Sequence, residues 1–215
     1  VIPEKAMYEK EALIRIIFPE NLRIIGSHAF HRCGLMGDLI IPEGVEKIGE
    51  TFDAASSFVV GNNSNGSMGA FSYCNNLLGR LALPATLTHI EHGAFNFDKF
   101  SGLLQLPDNL QFVGACAFNG NSFTDELHLP GNLQYIGHRA FAGNKFTGSI
   151  EIPQGIQVIR KETFAYSGFS GTLILPEGVR EIQADAFRGC KIRGELLLPS
   201  TVLTLGNYAF SGTAI

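Results

Sequence analysis

From about residue 14 onward the chain alternates short apolar stretches with polar turns, and the pattern recurs every 23 residues. Residues 126–148 show one period in full. Glu126-Leu127-His128-Leu129 alternates polar and apolar, which predicts a short strand with Leu127 and Leu129 pointing inward. Pro130 ends it, because proline has no N–H for a ladder and a fixed φ. Leu133 and Ile136 turn back to the interior, and Gly137 reads as a tight bend. Ala140-Phe141 bury a small and a large side chain on the far side. Gly143 and Asn144 turn the chain, Phe146 re-enters the core, and Gly148 leads into the next strand. One unit cannot bury that apolar set alone, whereas stacked units can.

The period is marked by Pro19, Pro42, Pro84, Pro107, Pro130, Pro153, Pro176 and Pro199, with steps of 23, 42, 23, 23, 23, 23 and 23. Eleven residues after seven of these prolines stands a phenylalanine: Phe30, Phe95, Phe118, Phe141, Phe164, Phe187 and Phe210. Six residues after each proline stands an aliphatic, from Ile25 and Ile48 through Val113 to Leu205. Self-similarity at a fixed period is the mark of a stacked-repeat architecture. Identical residues then form ladders between strands about 4.8 Å apart. A buried Phe contributes roughly 1.5–3 kcal/mol, so the Phe ladder reads as a structural spine and not as an aromatic binding platform.

The 42-residue step admits two readings. Split as 19 + 23, it makes a degenerate, shortened rung with Gly61 in the proline position after Phe58-Val59-Val60. Phe52 and Phe71 then stand near the Phe positions, and Ser64 and Ser67 replace aliphatics. We take this as the first reading. The other is a non-repeating insertion between adjacent rungs. In both, residues 50–71 depart from the period, and residues 53–69 are expected to be mobile.

The motif L-x-L-P-x-x-L-x-x-I-G-x-x-A-F-x-G-N of residues 127–144 resembles the BspA-like class of bacterial leucine-rich repeats, and at least seven units carry it. The resemblance implies a leucine-rich-repeat solenoid, right-handed and curved, with a parallel β-sheet on one face and little helix. It also implies secreted or surface-anchored proteins of gut and oral anaerobes and some protozoa, some of them adhesins for host matrix proteins. The class shares no catalytic residues, so none is carried over. The expected organisation is an N-terminal cap segment over residues 1–13, with residues 4–13 as a short amphipathic helix. A solenoid of eight or nine rungs then fills residues 14–215.

Composition narrows the function. Lys and Arg number 16 against 20 Asp and Glu, a balance of −4, which argues against DNA, RNA and anionic membrane as primary partners. No apolar run reaches the ~18 residues of a spanning helix. The 25 glycines and 17 phenylalanines, with no tryptophan, fit a repeat of small hinges around one favoured large core residue. The chain starts at Val1 without a leader, so any secretion signal is expected to lie outside it. At the other end Ile215 falls at a core position without a polar cap. We expect the natural chain to continue or to end in a short tail; a monomer is expected, with an end-to-end dimer as the second reading.

In a solenoid the outward strand positions are free to vary. Two residues before each proline, or before Gly61, stand Ile17, Ile40, Val59, Ala82, Gln105, His128, Glu151, Ile174 and Leu197. Four before stand Arg15, Asp38, Ser57, Arg80, Leu103, Glu126, Ser149, Thr172 and Glu195. Ile17, Ile40, Val59 and Ala82 form an apolar contact stripe unless the cap segment covers them. Gln105, Glu126, His128 and Glu151 are the place where hydrogen-bonding groups converge on adjacent rungs, and they are the candidate ligand-binding residues. Two carboxylates beside a His suit a cation or acid–base chemistry. The sequence supplies no third fixed ligand, nucleophile or deep pocket, so no metal, cofactor or catalytic residue is assigned.

The histidine pairs His28/His31 and His89/His92 are three residues apart in non-helical segments and read as solvated or capping groups. The chain has no G-x-S-x-G, G-x-G-x-x-G or Walker loop. Asn62 and Asn65 open glycosylation sequons that matter only in a eukaryotic source. Cys33, Cys74 and Cys190 hold equivalent ladder positions. With a rung between them, Cys33 and Cys74 lie roughly 9–10 Å apart, beyond disulfide reach; as direct neighbours they could bridge. Buried free thiols are the preferred reading, Cys serving as a small apolar residue. The functional expectation is a non-enzymatic, adhesin-like module at the cell surface or secreted, holding a host or matrix protein or a glycan on its sheet face. The alternative is an architectural spacer within a larger surface protein.

Overall fold

A computed structural model of the chain describes residues 1–50 and 69–215. The described residues contain no helix; they form short parallel strands joined by turns. The aliphatic six residues after each proline anchors one ribbon: β1 (Ile24–Gly26), β3 (Lys47–Glu50), β5 (His89–Ile90), β7 (Phe112–Val113), β9 (Tyr135–Ile136), β11 (Val158–Ile159), β13 (Glu181–Ile182) and β14 (Thr204–Leu205). Its members pair in parallel as β1-β3-β5-β7-β9 and β11-β13-β14. The L-x-L-P positions make the second ribbon, in which β2 (Leu39–Ile40) pairs with β4 (Leu81–Ala82) and β10 (Ile150–Glu151) with β12 (Leu173–Ile174). Between these pairs β6 (Ser101–Leu103) lies beside β8 (Ser122–Thr124). In β2, β4, β10 and β12 a buried residue is followed by an outward one, as in Leu39/Ile40 and Leu81/Ala82.

The expected Phe spine is present. Rings of Phe30, Phe71, Phe95, Phe118, Phe141, Phe164, Phe187 and Phe210 stack in sequence at 5.0–5.7 Å with interplanar angles of 3–16°. A second, shorter ladder of Phe100, Phe123, Phe146 and Phe169 meets the first edge-on. Offset-stacked and edge-to-face contacts are the favourable aromatic geometries. The backbone beside the spine is laddered too, for example Phe95 N–H to Ala117 O at 2.8 Å and Phe118 N–H to Ala140 O at 2.8 Å.

The degenerate-rung reading is overturned. Leu39 pairs directly with Leu81 and Ile48 with Ile90, and the Phe30 ring stacks on Phe71. No rung stands between those two turns. Ile48 and Phe71 are 71 − 48 = 23 residues apart, where Ile90 and Phe95 are 95 − 90 = 5 apart, so 18 of the 42 − 23 = 19 extra residues of this turn fall between them. Equal proline spacing could not reveal this, because counting residues does not say which strands pair. The expectations for Val59, Gly61, Phe52, Phe58, Ser64, Ser67, the sequons and a mobile stretch fall on residues 51–68, outside the described residues.

The expected cap helix over residues 4–13 is also corrected. Ile2 bridges Ile25, and Lys5, Met7 and Glu9 N–H groups donate to Ser27, Ala29 and His31 carbonyls at 2.7–3.0 Å. This is half a repeat displaced by one period, with Met7 in the Phe position. The backbone confirms the register. Residues two before and two after the Phe position adopt positive φ at Phe30 (His28 and Arg32) and at every unit from Phe95 to Phe210, and Lys5 and Glu9 do so around Met7. The local helical pattern gave way to the edge of β1, where main-chain donors find ready partners.

Gly137 serves a purpose other than the bend assigned to it. Its φ is not positive, but a Cβ there would lie 2.3 Å from the Ala115 backbone N of the preceding turn. The glycine sets how closely successive turns approach.

Candidate functional site

The L-x-L-P ribbon is uncovered. Ile17 is 86% and Ile40 67% exposed, and Ala82, Gln105, His128 and Glu151 are also exposed. Because the N-terminal segment lies along β1, it does not shield Ile17 and Ile40. With β2 beside β4, Ile40 is the direct partner of Ala82, so the apolar stripe is continuous without Val59.

Two shallow grooves lie along this ribbon. One, of about 600 Å³, runs between Ile40, Ala82, Leu103 and Gln105, with Asp38 and Arg80 at its edge. Asp38 is held by the next turn: its Oδ1 accepts from Arg80 N–H at 2.8 Å, and Oδ2 lies 3.9 Å from the guanidinium. The other groove, of about 490 Å³, is bordered by Glu126, His128, Ser149, Glu151 and Ile174. His128 Nε2 lies 3.9 Å from Glu126 Oε2, a pair well exposed to water. The Glu126 carboxylate folds over Gly148, where a Cβ would sit 2.4 Å from its Oε1. Beyond it Ser149 Oγ and Thr172 Oγ1 are 3.1 Å apart. The structure therefore brings Glu126, His128 and Glu151 to one groove and places Gln105 in the other.

The arrangement suits reversible contacts. Both grooves are open to solvent, so no group in them is desolvated in the way acid–base catalysis or tight ion capture requires. Among the described residues no group of three His, Cys, Asp or Glu is placed to hold a metal ion.

The histidines divide. His92 caps, its Nδ1 accepting from Ala115 N–H at 2.8 Å. His31 is not solvated: it is 1% exposed, stacks on Tyr8 at 5.1 Å, and shares a 2.8 Å hydrogen bond with Ser72 Oγ. Burial first, then the charge of Arg32, pushes its imidazole down to about 4. Cys33, Cys74, Cys116 and Cys190 are buried free thiols, so the adjacency of Cys33 and Cys74 has not made a bridge. Sequence reasoning missed a surface feature on the other ribbon. His89, Phe112 and Tyr135 stack at 5.8 and 4.6 Å, and Arg160 lies 4.0 Å over the Tyr135 ring. The signal was present, since the three residues are spaced by one period and precede the aliphatic column by one position.

Comparison with known proteins agrees with this geometry. The family description "BspA type leucine rich repeat region", in six copies, matches residues 1–102, 54–169 and 88–215. The crystal structure of a leucine-rich repeat protein from Bacteroides ovatus superposes with a TM-score of 0.68 at 22% identity, covering 92% of this chain and 47% of that one. The chain thus spans about half the length of that protein. No curated protein matches. Leucine-rich repeats are generally protein-interaction scaffolds and typically non-catalytic, and BspA-type members are typically on bacterial surfaces. No helix among the described residues is long and apolar enough to cross a membrane. The 23-residue period, the Phe spine, the paired ribbons and a family match over the whole length lead to one assignment: the chain belongs to the BspA-type leucine-rich repeat family.

Proposed function

We propose that this chain is a non-enzymatic, adhesin-like binding module of a cell-surface or secreted protein, and that it holds its ligand on the L-x-L-P ribbon. The observation that carries the reading is the uncovered outward column, apolar at Ile17, Ile40 and Ala82, polar at Gln105, His128 and Glu151, and apolar again at Ile174 and Leu197. A rigid spine with a chemically varied face is how solenoids recognise partners. Exposed acids along the face (Asp38, Glu43, Asp108, Glu126, Glu151, Glu177) outnumber Arg15 and Arg80. A protein ligand offering Lys or Arg among apolar side chains complements that surface better than an uncharged glycan does. The spacer reading retains one support: the chain covers 47% of the solved relative, as one part of a longer architecture would.

The test is binding of the purified chain to immobilised host matrix proteins and to a glycan array. The comparison protein is the triple variant Glu126→Ala, His128→Ala, Glu151→Ala. These residues are exposed, so the variant is expected to keep its melting temperature within a degree or two, consistent with the usual ~0.5 kcal/mol limit for surface changes. Saturable binding that the variant loses supports the assignment. Binding that both proteins share puts the site elsewhere, and silence on both panels favours the spacer.

A further inference from the structure

A column of side chains, three residues after the Phe position, stitches successive turns together from Cys33 to Cys190, whereas at the last turn Thr213 Oγ1 donates within its own turn to Phe210 O at 2.7 Å. Cys33 Sγ donates to Met7 O at 2.9 Å and Cys74 Sγ to Phe30 O at 3.0 Å. Asn121 Nδ2 donates to Phe95 O at 2.7 Å and Asn144 Nδ2 to Phe118 O at 2.9 Å. Ser167 Oγ donates to Phe141 O at 2.6 Å and Cys190 Sγ to Phe164 O at 3.0 Å. In each of these six a side-chain donor meets the carbonyl of the spine residue one turn earlier. The column's remaining member between Cys74 and Asn121 is Asp98, which as a carboxylate has no proton to give.

Asp98 is fully buried. Its Oδ1 accepts from Cys74 N–H at 2.8 Å, while its Oδ2 is buried without a hydrogen-bond partner. The carbonyl this column position would engage is Phe71 O, which receives the Cys74 N–H at 3.3 Å. Phe30 O shows that such a carbonyl has room for two donors, taking Cys33 N–H at 3.1 Å and Cys74 Sγ at 3.0 Å. An ionised oxygen enclosed without a donor is strongly disfavoured, and a buried acid escapes that penalty by keeping its proton.

We propose that Asp98 is held as a neutral carboxylic acid whose O–H donates to the Phe71 carbonyl, making this step of the ladder a pH-sensitive latch on the turn that carries the 19 extra residues. Asp98 thus performs with a proton what Asn121 and Asn144 perform with an amide. Its surroundings favour this. Burial pushes the carboxyl well above the ordinary carboxylate range, against the weaker pull of the Cys74 N–H. The titratable group facing it from the preceding turn is the Cys74 thiol, itself pushed up by burial and then by Asp98, and the following turn presents uncharged Asn121. Its chain neighbour Lys99 is exposed.

The linkage has a definite sign. Below about pH 4 the folded and unfolded chains both carry the proton; above it the unfolded chain releases it and the folded chain does not. Stability contributed here therefore falls as pH rises, by about tenfold in the folding constant per pH unit, until the folded group ionises.

The experiment is denaturant unfolding of the wild type, Asp98→Asn and Asp98→Ser from pH 4 to 8, with the infrared spectrum of each near pH 7. The variants copy Asn144 and Ser167, which occupy the same column. Differences between proteins cancel His28, His31, His92 and His138, which titrate in every variant. The expected result is a stability gap that opens in favour of Asp98→Asn as pH rises, with a protonated-carboxyl band in the wild type that Asp98→Asn lacks. Parallel pH profiles, or a wild type without that band at neutral pH, would overturn the proposal. If a variant does not fold, the wild-type band still decides.

Discussion

Replacing Phe141 by Ala removes the ring at the middle of the spine. Phe141 is fully buried, stacks on Phe118 at 5.5 Å and on Phe164 at 5.7 Å, and meets Phe146 edge-on at 6.4 Å. Burial of the ring contributes roughly 1.5–3 kcal/mol. Each ring pair adds about 0.5–1.5 kcal/mol beyond area. Rigid walls keep the hole from collapsing, so the loss belongs in the upper part of the ~3–5 kcal/mol range for buried Phe→Ala, about 4 kcal/mol. That is a large share of the ~5–15 kcal/mol holding an ordinary domain. Phe210 is the internal control: it is half-buried and has one stacked spine neighbour, Phe187 at 5.4 Å, so Phe210→Ala is expected to lose about 1.5 kcal/mol. Urea unfolding followed by circular dichroism measures both. The central variant should also broaden the transition, because nearest-neighbour coupling between the two halves is cut. Equal losses for Phe141→Ala and Phe210→Ala, or a central loss below about 1.5 kcal/mol, would refute the view that the ladder is the main source of stability.

Gly137→Ala places a methyl group 2.3 Å from the Ala115 backbone N and is expected to destabilise by about 1–3 kcal/mol, whereas Gly131→Ala meets nothing within 4 Å and should be nearly neutral; thermal melts compare them. The four thiols should resist an aqueous thiol reagent in the native protein and react together on unfolding, and fast native labelling would contradict their burial. His31 is neutral in the fold, with its imidazole at about 4, so its contribution is complete above about pH 6.5 and is lost as pH falls toward 4. His31→Gln should flatten that acid limb of the stability profile, and an unchanged limb would remove His31 as its cause.

How much was legible in advance follows from what a period can encode. A residue type repeated every 23 positions states its own stacking partners, so the Phe spine and the aliphatic ribbon could be read before any coordinates. Glu126, His128 and Glu151 were legible for the same reason, since successive periods put them on successive turns. Gln105 was grouped with them by that logic, yet it borders the groove of Ile40 and Ala82. Where one groove ends depends on side-chain bulk around it, which a spacing does not carry. The half-repeat at residues 1–13 was hidden because Met7 stands for Phe and no L-x-L-P proline precedes it. Its helical pattern was a local preference, and the open edge of β1 offered the same backbone groups better partners.

The sequence by itself determined the repeat, its length, the inward and outward positions of each unit and hence the solenoid, because burial at a fixed period leaves one way to stack. The tertiary structure decided which turns are neighbours across the 42-residue step. Hydrogen bonds between Leu39 and Leu81 turns, and the stacking of Phe30 on Phe71, are pairings that a count of residues does not contain. It also decided that Asp98 sits with one carboxyl oxygen bonded and the other alone. A column in the sequence says which side chains share a position; only packing says which of them water cannot reach.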